Sequence, residues 1–191
     1  MGMTGSQTVG PFLHIGLAGL YRDNLVTNGV EGEPIVIEGR LLDGDGEVVP
    51  DGMVEIWQAN SHGRYADPLD ARQLPLEPAF RGFGRVATDA NGRFRFTTVK
   101  PGRVLGQGGK LQAPHILVSV FMRGLIKRLA TRIYFPDGEG HADDPVLNLV
   151  PAGRRATLIA HRVAGNDALL EWNIVVQAGA HGYDETVFFD V

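Results

Sequence analysis

Two side chains suggest metal chemistry. His115 stands at the head of an apolar, β-branched run, LQAPHILVSVF, and Tyr65 closes the stretch WQANSHGRY. Imidazole is the commonest protein ligand for a metal. A phenolate is a hard anionic oxygen donor suited to ferric iron. Two donors do not make a site, so others have to be sought. The remaining histidines, His14, His62, His141, His161 and His181, are scattered, and no H-x-H, H-x-x-H or HExxH spacing occurs. A lone histidine of this kind is more often structural than a ligand. Tyr21, Tyr134 and Tyr183 complete the tyrosines, and Tyr134, inside RIYF, reads as a packing residue. There is no G-x-S-x-G elbow and no P-loop. The absence of cysteine excludes disulfides, zinc–thiolate sites and thiol nucleophiles, and it fits a reducing, cytoplasmic setting.

A second feature is cationic. MRGLIKRLATRIYF carries Arg123, Lys127, Arg128 and Arg132 without one acid, in a chain of net charge -4. An arginine there could clamp a carboxylate through its planar fork. On composition alone, a solvated strand face and turn is the favoured reading of the same run. The acidic balance argues against nucleic acid as the main partner. No apolar run approaches the length of a membrane span. The N-terminal stretch has neither the basic nor the apolar region of a signal peptide.

The elements that must position these groups are mainly strands. Residues 35–42 and 53–59 alternate apolar with polar, the period of a half-buried strand. Asn91–Gly92, between two such runs, predicts a hairpin turn because both positions tolerate positive φ. Residues 116–121, 131–135, 169–177 and 186–190 predict four more strands, and 154–162 is the best helix candidate. Residues 66–80 and 101–114 have no regular period and are read as long loops. Short strands at this spacing predict a mainly β, single-domain β-sandwich with long loops and little helix over residues 1–191.

The blocks SQTVGPFLHIGL, VEIWQANSHGRY, GRFRFTTVKPG, APHILVSVF and PVLNL, in this order, resemble the intradiol ring-cleavage dioxygenases over nearly the whole chain. Iron-binding chains of that family hold Fe(III) with two tyrosines and two histidines. The resemblance matches Tyr65 to the first tyrosine and His115 to the first histidine. The loop that carries the second tyrosine reads RVLGQGGKLQ here and has none, and Leu117 stands where the second histidine belongs. The resemblance therefore implies that Tyr65, His115 and Leu117 mark a vestigial ligand set and that this chain holds no metal.

It further implies the alpha subunit of a heteromeric enzyme. A homologous beta chain would hold the Fe(III), and the two would pair as αβ units in a higher oligomer. The enzyme would cleave 3,4-dihydroxybenzoate with O₂ to 3-carboxy-cis,cis-muconate, a step of aromatic catabolism. Alpha would lend substrate-pocket residues: Thr8, Gly10, Pro11 and Phe12 of the N-terminal T-x-G-P segment, and Arg123 of the F-x-R-G block. Residues 1–34 are expected at the partner interface. Lys127, Arg128 and Arg132 have no such match and are expected to face solvent or the interface. The alternatives are an iron-complete single-chain dioxygenase, against which the missing ligands argue, and a non-enzymatic β-sandwich binding module, which shares the hairpin pattern but has no reason to keep both WQANSHGRY and APHI.

Overall fold

The computed structural model describes residues 7–177, 182 and 184–190; His181 and Tyr183 lie outside them. Strand β1 (Pro34–Leu42) organises one sheet. It pairs antiparallel with β4 (Arg93–Val99) on one side, from Pro34 opposite Val99 to Arg40 opposite Arg93. On its other side it runs parallel to β10 (Asn166–Glu171) and then to β11 (Ile174–Val175). β9 (His161–Val163) closes that edge on β10. The second sheet is antiparallel throughout, in the order β3 (Phe83–Ala87), β2 (Met53–Trp57), β7 (His115–Phe121), β8 (Leu129–Tyr134). A two-stranded ribbon, β5 (Val104–Leu105) with β6 (Leu111–Gln112), stands beside it.

Alternation explains the sandwich. Ile35, Ile37 and Leu41 of β1 and Ile116, Val118 and Val120 of β7 are buried in one apolar cluster between the sheets. Burying each such side chain contributes about 1.5–3 kcal/mol relative to leaving it in water. Because a strand's period is two, the intervening residues of β2, β7 and β8 must face outward. Register then aligns Trp57 with Leu117 and Leu117 with Arg132 across the outer face. One glycine lets the link between β10 and β11 run close against β1. A Cβ on Gly39 would lie 1.8 Å from the carbonyl oxygen of Trp172, so no larger residue fits without moving backbone.

Five sequence expectations change. Asn91–Gly92 turns the chain, with Asp89 N–H donating to the Arg93 carbonyl at 2.9 Å and Gly92 at φ +68. The flanking strands then diverge: β3 joins β2, and β4 joins β1 in the opposite sheet. The turn is a corner between sheets, which local turn chemistry cannot distinguish from a hairpin. The helix expected over 154–162 is a 3-10 helix, Ala152–Leu158, followed by β9. The run 169–177 breaks at Trp172–Asn173, where the Asn173 side chain accepts a hydrogen bond from Arg40 N–H at 2.8 Å and the Trp172 indole donates to the Thr157 carbonyl at 3.0 Å. Residues 186–190 make only an isolated bridge, Phe189 to Ala130. The loop expected over 101–114 contains the β5–β6 ribbon. A helix that the sequence reading did not anticipate, α1 (Pro11–Leu17), starts with proline in its first turn, where the missing N–H costs no hydrogen bond.

Candidate functional site

The outer face of the antiparallel sheet carries the first site. Tyr65 is brought there by a tight loop. The Asn60 side chain accepts from the N–H groups of His62 (3.1 Å) and Arg64 (2.9 Å), and Tyr65 N–H donates to Asp70 Oδ2 at 2.8 Å. The Tyr65 ring stacks on Trp57, centroids 5.7 Å apart and planes 13° from parallel. Burial raises the phenol's pKa, against the pull of Arg132 and Arg72. His115 is buried at the start of β7, with Nδ1 2.8 Å from the Ala113 carbonyl oxygen. A carbonyl only accepts, so Nδ1 carries the proton of the neutral ring.

Burial, with Arg132 as the second cause, pushes the His115 pKa down from 6.5 to about 4. The folded protein thus binds this proton less readily than the unfolded chain does. The contribution to stability is complete above the unfolded value near pH 6.5 and is lost as pH falls toward 4. His115→Gln should flatten the loss of stability between those limits. The check is urea unfolding at pH 7, 5.5 and 4.5; parallel profiles for both proteins would remove His115 as the cause.

Arg132, expected at solvent or the interface, has its surroundings made specific by the structure. Half-buried on β8, it donates through Nη1 to Gln112 Oε1 at 2.6 Å and approaches Tyr134 Oη at 3.4 Å. Its guanidinium also lies over the Phe189 ring at 5.9 Å. The strand register explains why: Arg132 sits opposite Leu117 and must share its face. Tyr65 and His115 both feel its charge.

These residues do not fit a ferric ion. Leu117 stands where the resemblance needs a second imidazole, His115 is buried with Nδ1 held at the Ala113 carbonyl, and the Arg132 charge that both Tyr65 and His115 feel would repel a cation. Among the described residues no cluster of three or more His, Cys, Asp or Glu could hold a metal.

The other predicted residues gather at the far end of β7. Thr8 Oγ1 accepts from Gly124 N–H at 2.9 Å, tying the N-terminal segment to the turn that holds Arg123. Gly10 and Arg123 line a common cavity with Val9, Leu13, Asp51, Met53 and Phe121. Pro11 opens α1, and Phe12 beside it is 84% exposed. Arg123 Nε lies 3.1 Å from Asp51 Oδ2, and the Arg123 side chain is 75% exposed. His115 and Arg123 are separated by eight residues, most of them extended strand, so roughly 20 Å or more divides the two clusters. The cationic run therefore splits: Arg132 points into the first site, Arg123 borders the N-terminal segment, Lys127 pairs with Asp190 at 2.5 Å, and Arg128 is exposed.

A further residue, Asp144, went unremarked in the sequence. Fully buried, it accepts from the N–H groups of Ala113 (2.7 Å), Val146 (2.8 Å) and Leu147 (2.7 Å) and from Tyr134 Oη (3.3 Å). It joins the segment leading into His115 to the loop that begins at Pro145. An acid directly before PVLNL was the available signal.

The fold and these blocks define a family. Residues 18–178 match the family model described as Dioxygenase, and the chain belongs to that family. It is 42% identical to the protocatechuate 3,4-dioxygenase alpha chain of Burkholderia cepacia over 98% of this chain and 97% of that one. It is 43% identical to the alpha chain from Pseudomonas putida over 98% and 96%, respectively. The beta chain of the Burkholderia cepacia enzyme is 41% identical over 82% of this chain and 66% of that one. Among solved structures, 3-chlorocatechol 1,2-dioxygenase of Rhodococcus opacus 1CP superposes with a TM-score of 0.63 at 20% identity, over 80% of this chain and 63% of that one, which bears out the mainly β fold. No helix among the described residues is long and apolar enough to cross a membrane.

Proposed function

We propose that this chain is the iron-free, alpha-type subunit of a protocatechuate 3,4-dioxygenase. The observation that carries this is Leu117 in the place of the second histidine, opposite Arg132, whose charge reaches both Tyr65 and His115. Likeness to alpha chains over almost the full length supports it. Fe(III) belongs to a homologous beta chain, where it would activate 3,4-dihydroxybenzoate toward O₂. The two chains form αβ units in a cytoplasmic oligomer.

In this reading the present chain binds and orients. Its segment Thr8, Gly10, Pro11 and Phe12, together with Arg123, would border the partner's substrate pocket. The exposed Phe12 and the exposed Arg123 guanidinium are placed to leave their own subunit. Gly10 has nothing within 4 Å of the place a Cβ would take, so the backbone there is open to a close approach. Arg123 supplies the charge that an aromatic carboxylate needs on the side away from the iron.

Expression with and without the beta chain tests the proposal. Alone, this chain should purify colourless and without stoichiometric iron. Together, the pair should be coloured and should turn over 3,4-dihydroxybenzoate. A burgundy isolated chain with one iron per molecule would overturn the proposal.

A further inference from the structure

The cleft around Arg132 is more than a lost metal site. It encloses about 740 Å³ on the outer face of β2, β7 and β8, within the range of small-ligand clefts. Trp57, Leu117, Val146 and Phe189 form apolar walls. Arg128 and Arg132 are the cations of its lining, and Glu55 is the acid. Glu55 is engaged by Arg85 at 2.6 Å, so its charge is already answered. Among the described residues, the groups that touch the Arg132 guanidinium are uncharged: Gln112 Oε1, Tyr134 Oη and the Phe189 ring. Both of its hydrogen bonds use Nη1, leaving the rest of the fork for an acceptor. Asp144, which meets the same Tyr134 hydroxyl, is already engaged by three backbone N–H groups. A half-buried guanidinium with no ion pair among the described residues, set among aromatic and aliphatic walls, complements a flat anion.

We propose that this cleft is a metal-free binding site for a small aromatic carboxylate, with Arg132 holding the carboxylate and Trp57, Leu117 and Phe189 enclosing the ring. Gln112 orients the arginine by accepting from Nη1 at 2.6 Å. The inference goes beyond the subunit reading and depends on it only for the assembly in which binding is measured.

Equilibrium dialysis with radiolabelled benzoate, which has no hydroxyl with which to chelate iron, tests it on the co-expressed complex. Wild type is compared with Arg132→Leu and with Ser119→Phe, which fills the cleft from β7 and leaves the arginine in place. Each variant should bind one benzoate fewer per copy of this chain, or bind that one at least about tenfold more weakly, as expected for loss of a charge-assisted contact. Neutral benzamide should not compete at that site. Equal site numbers and affinities in wild type and both variants would overturn the inference, as would benzamide binding there as tightly as benzoate. If Arg132→Leu does not assemble, Ser119→Phe decides alone. If no beta chain associates, the same difference is counted per isolated chain, so failure of the subunit reading shows in the composition of the sample and not in the count.

Discussion

Arg123→Ala should lower kcat/KM for 3,4-dihydroxybenzoate about tenfold to a hundredfold in the assembled enzyme, because a lost charge-assisted contact costs about 1.5–3 kcal/mol. In this prediction the ligand is held by a neighbouring chain. Arg123 stands at the end of β7 opposite to His115, too far away to serve a ligand at its own Tyr65–His115 cluster. Its contact with Asp51 runs through Nε, which leaves the terminal nitrogens for a carboxylate. The Thr8–Gly124 hydrogen bond fixes the turn beside the N-terminal segment, so the arginine is presented from a braced position. Catechol lacks the carboxylate, and its turnover should fall much less. Steady-state kinetics on both compounds is the measurement, with iron content and assembly state as controls. Equal losses on the two would leave Arg123 an interface residue with no role toward the anion. Unchanged values on both would remove it from the pocket.

What could be read from the sequence depended on the range over which each signal acts. β1 and β7 were legible because their alternation is local and strong: Ile35, Ile37, Ile116, Val118 and Val120 all fall on the buried face. Tyr65 and His115 could be named because the blocks around them are contiguous, and Leu117 is visible as a missing imidazole two residues from His115. The turn at Asn91–Gly92 predicts a reversal but not where it leads, since the choice of sheet for β4 lies with its pairing to β1, about sixty residues earlier in the chain. The surroundings of Arg132 were out of reach for a related reason. Composition put it in a cationic run, whereas cross-strand register with Leu117 turns it into the cleft. No pattern within β8 alone carries that information. The parallel pairing of β1 with β10 and β11 was likewise invisible, because the alternation of β1 reports which face is buried and not the direction of its neighbours.

Asp144→Ala should cost the fold roughly 4 kcal/mol or more, the largest stability loss expected from a single polar residue near the cleft. One carboxylate satisfies three backbone N–H groups and approaches one phenol, and all of them belong to the buried cluster of Ala113, Tyr134 and Leu147 or to its edge. Deleting it leaves donors at Ala113 and Leu147 without acceptors in a place water does not reach, and buried orphan donors carry their full desolvation penalty. Asp144→Asn should be milder, about half the loss. Its amide oxygen can still accept from Val146 and Leu147, but its NH₂ would face the Ala113 N–H, and two donors cannot pair. The effect should extend to the cleft. Ala113 is the carbonyl that orients His115, and Val146 and Leu149 form part of the cleft wall. Urea unfolding at pH 7 measures the cost, and benzoate binding measures the spread: Asp144→Asn should weaken the Arg132-dependent site even where the protein is still folded. A loss under 1.5 kcal/mol for the alanine variant would mean that the surrounding loop finds other acceptors, and Asp144 would then be a passenger of that loop and not its anchor.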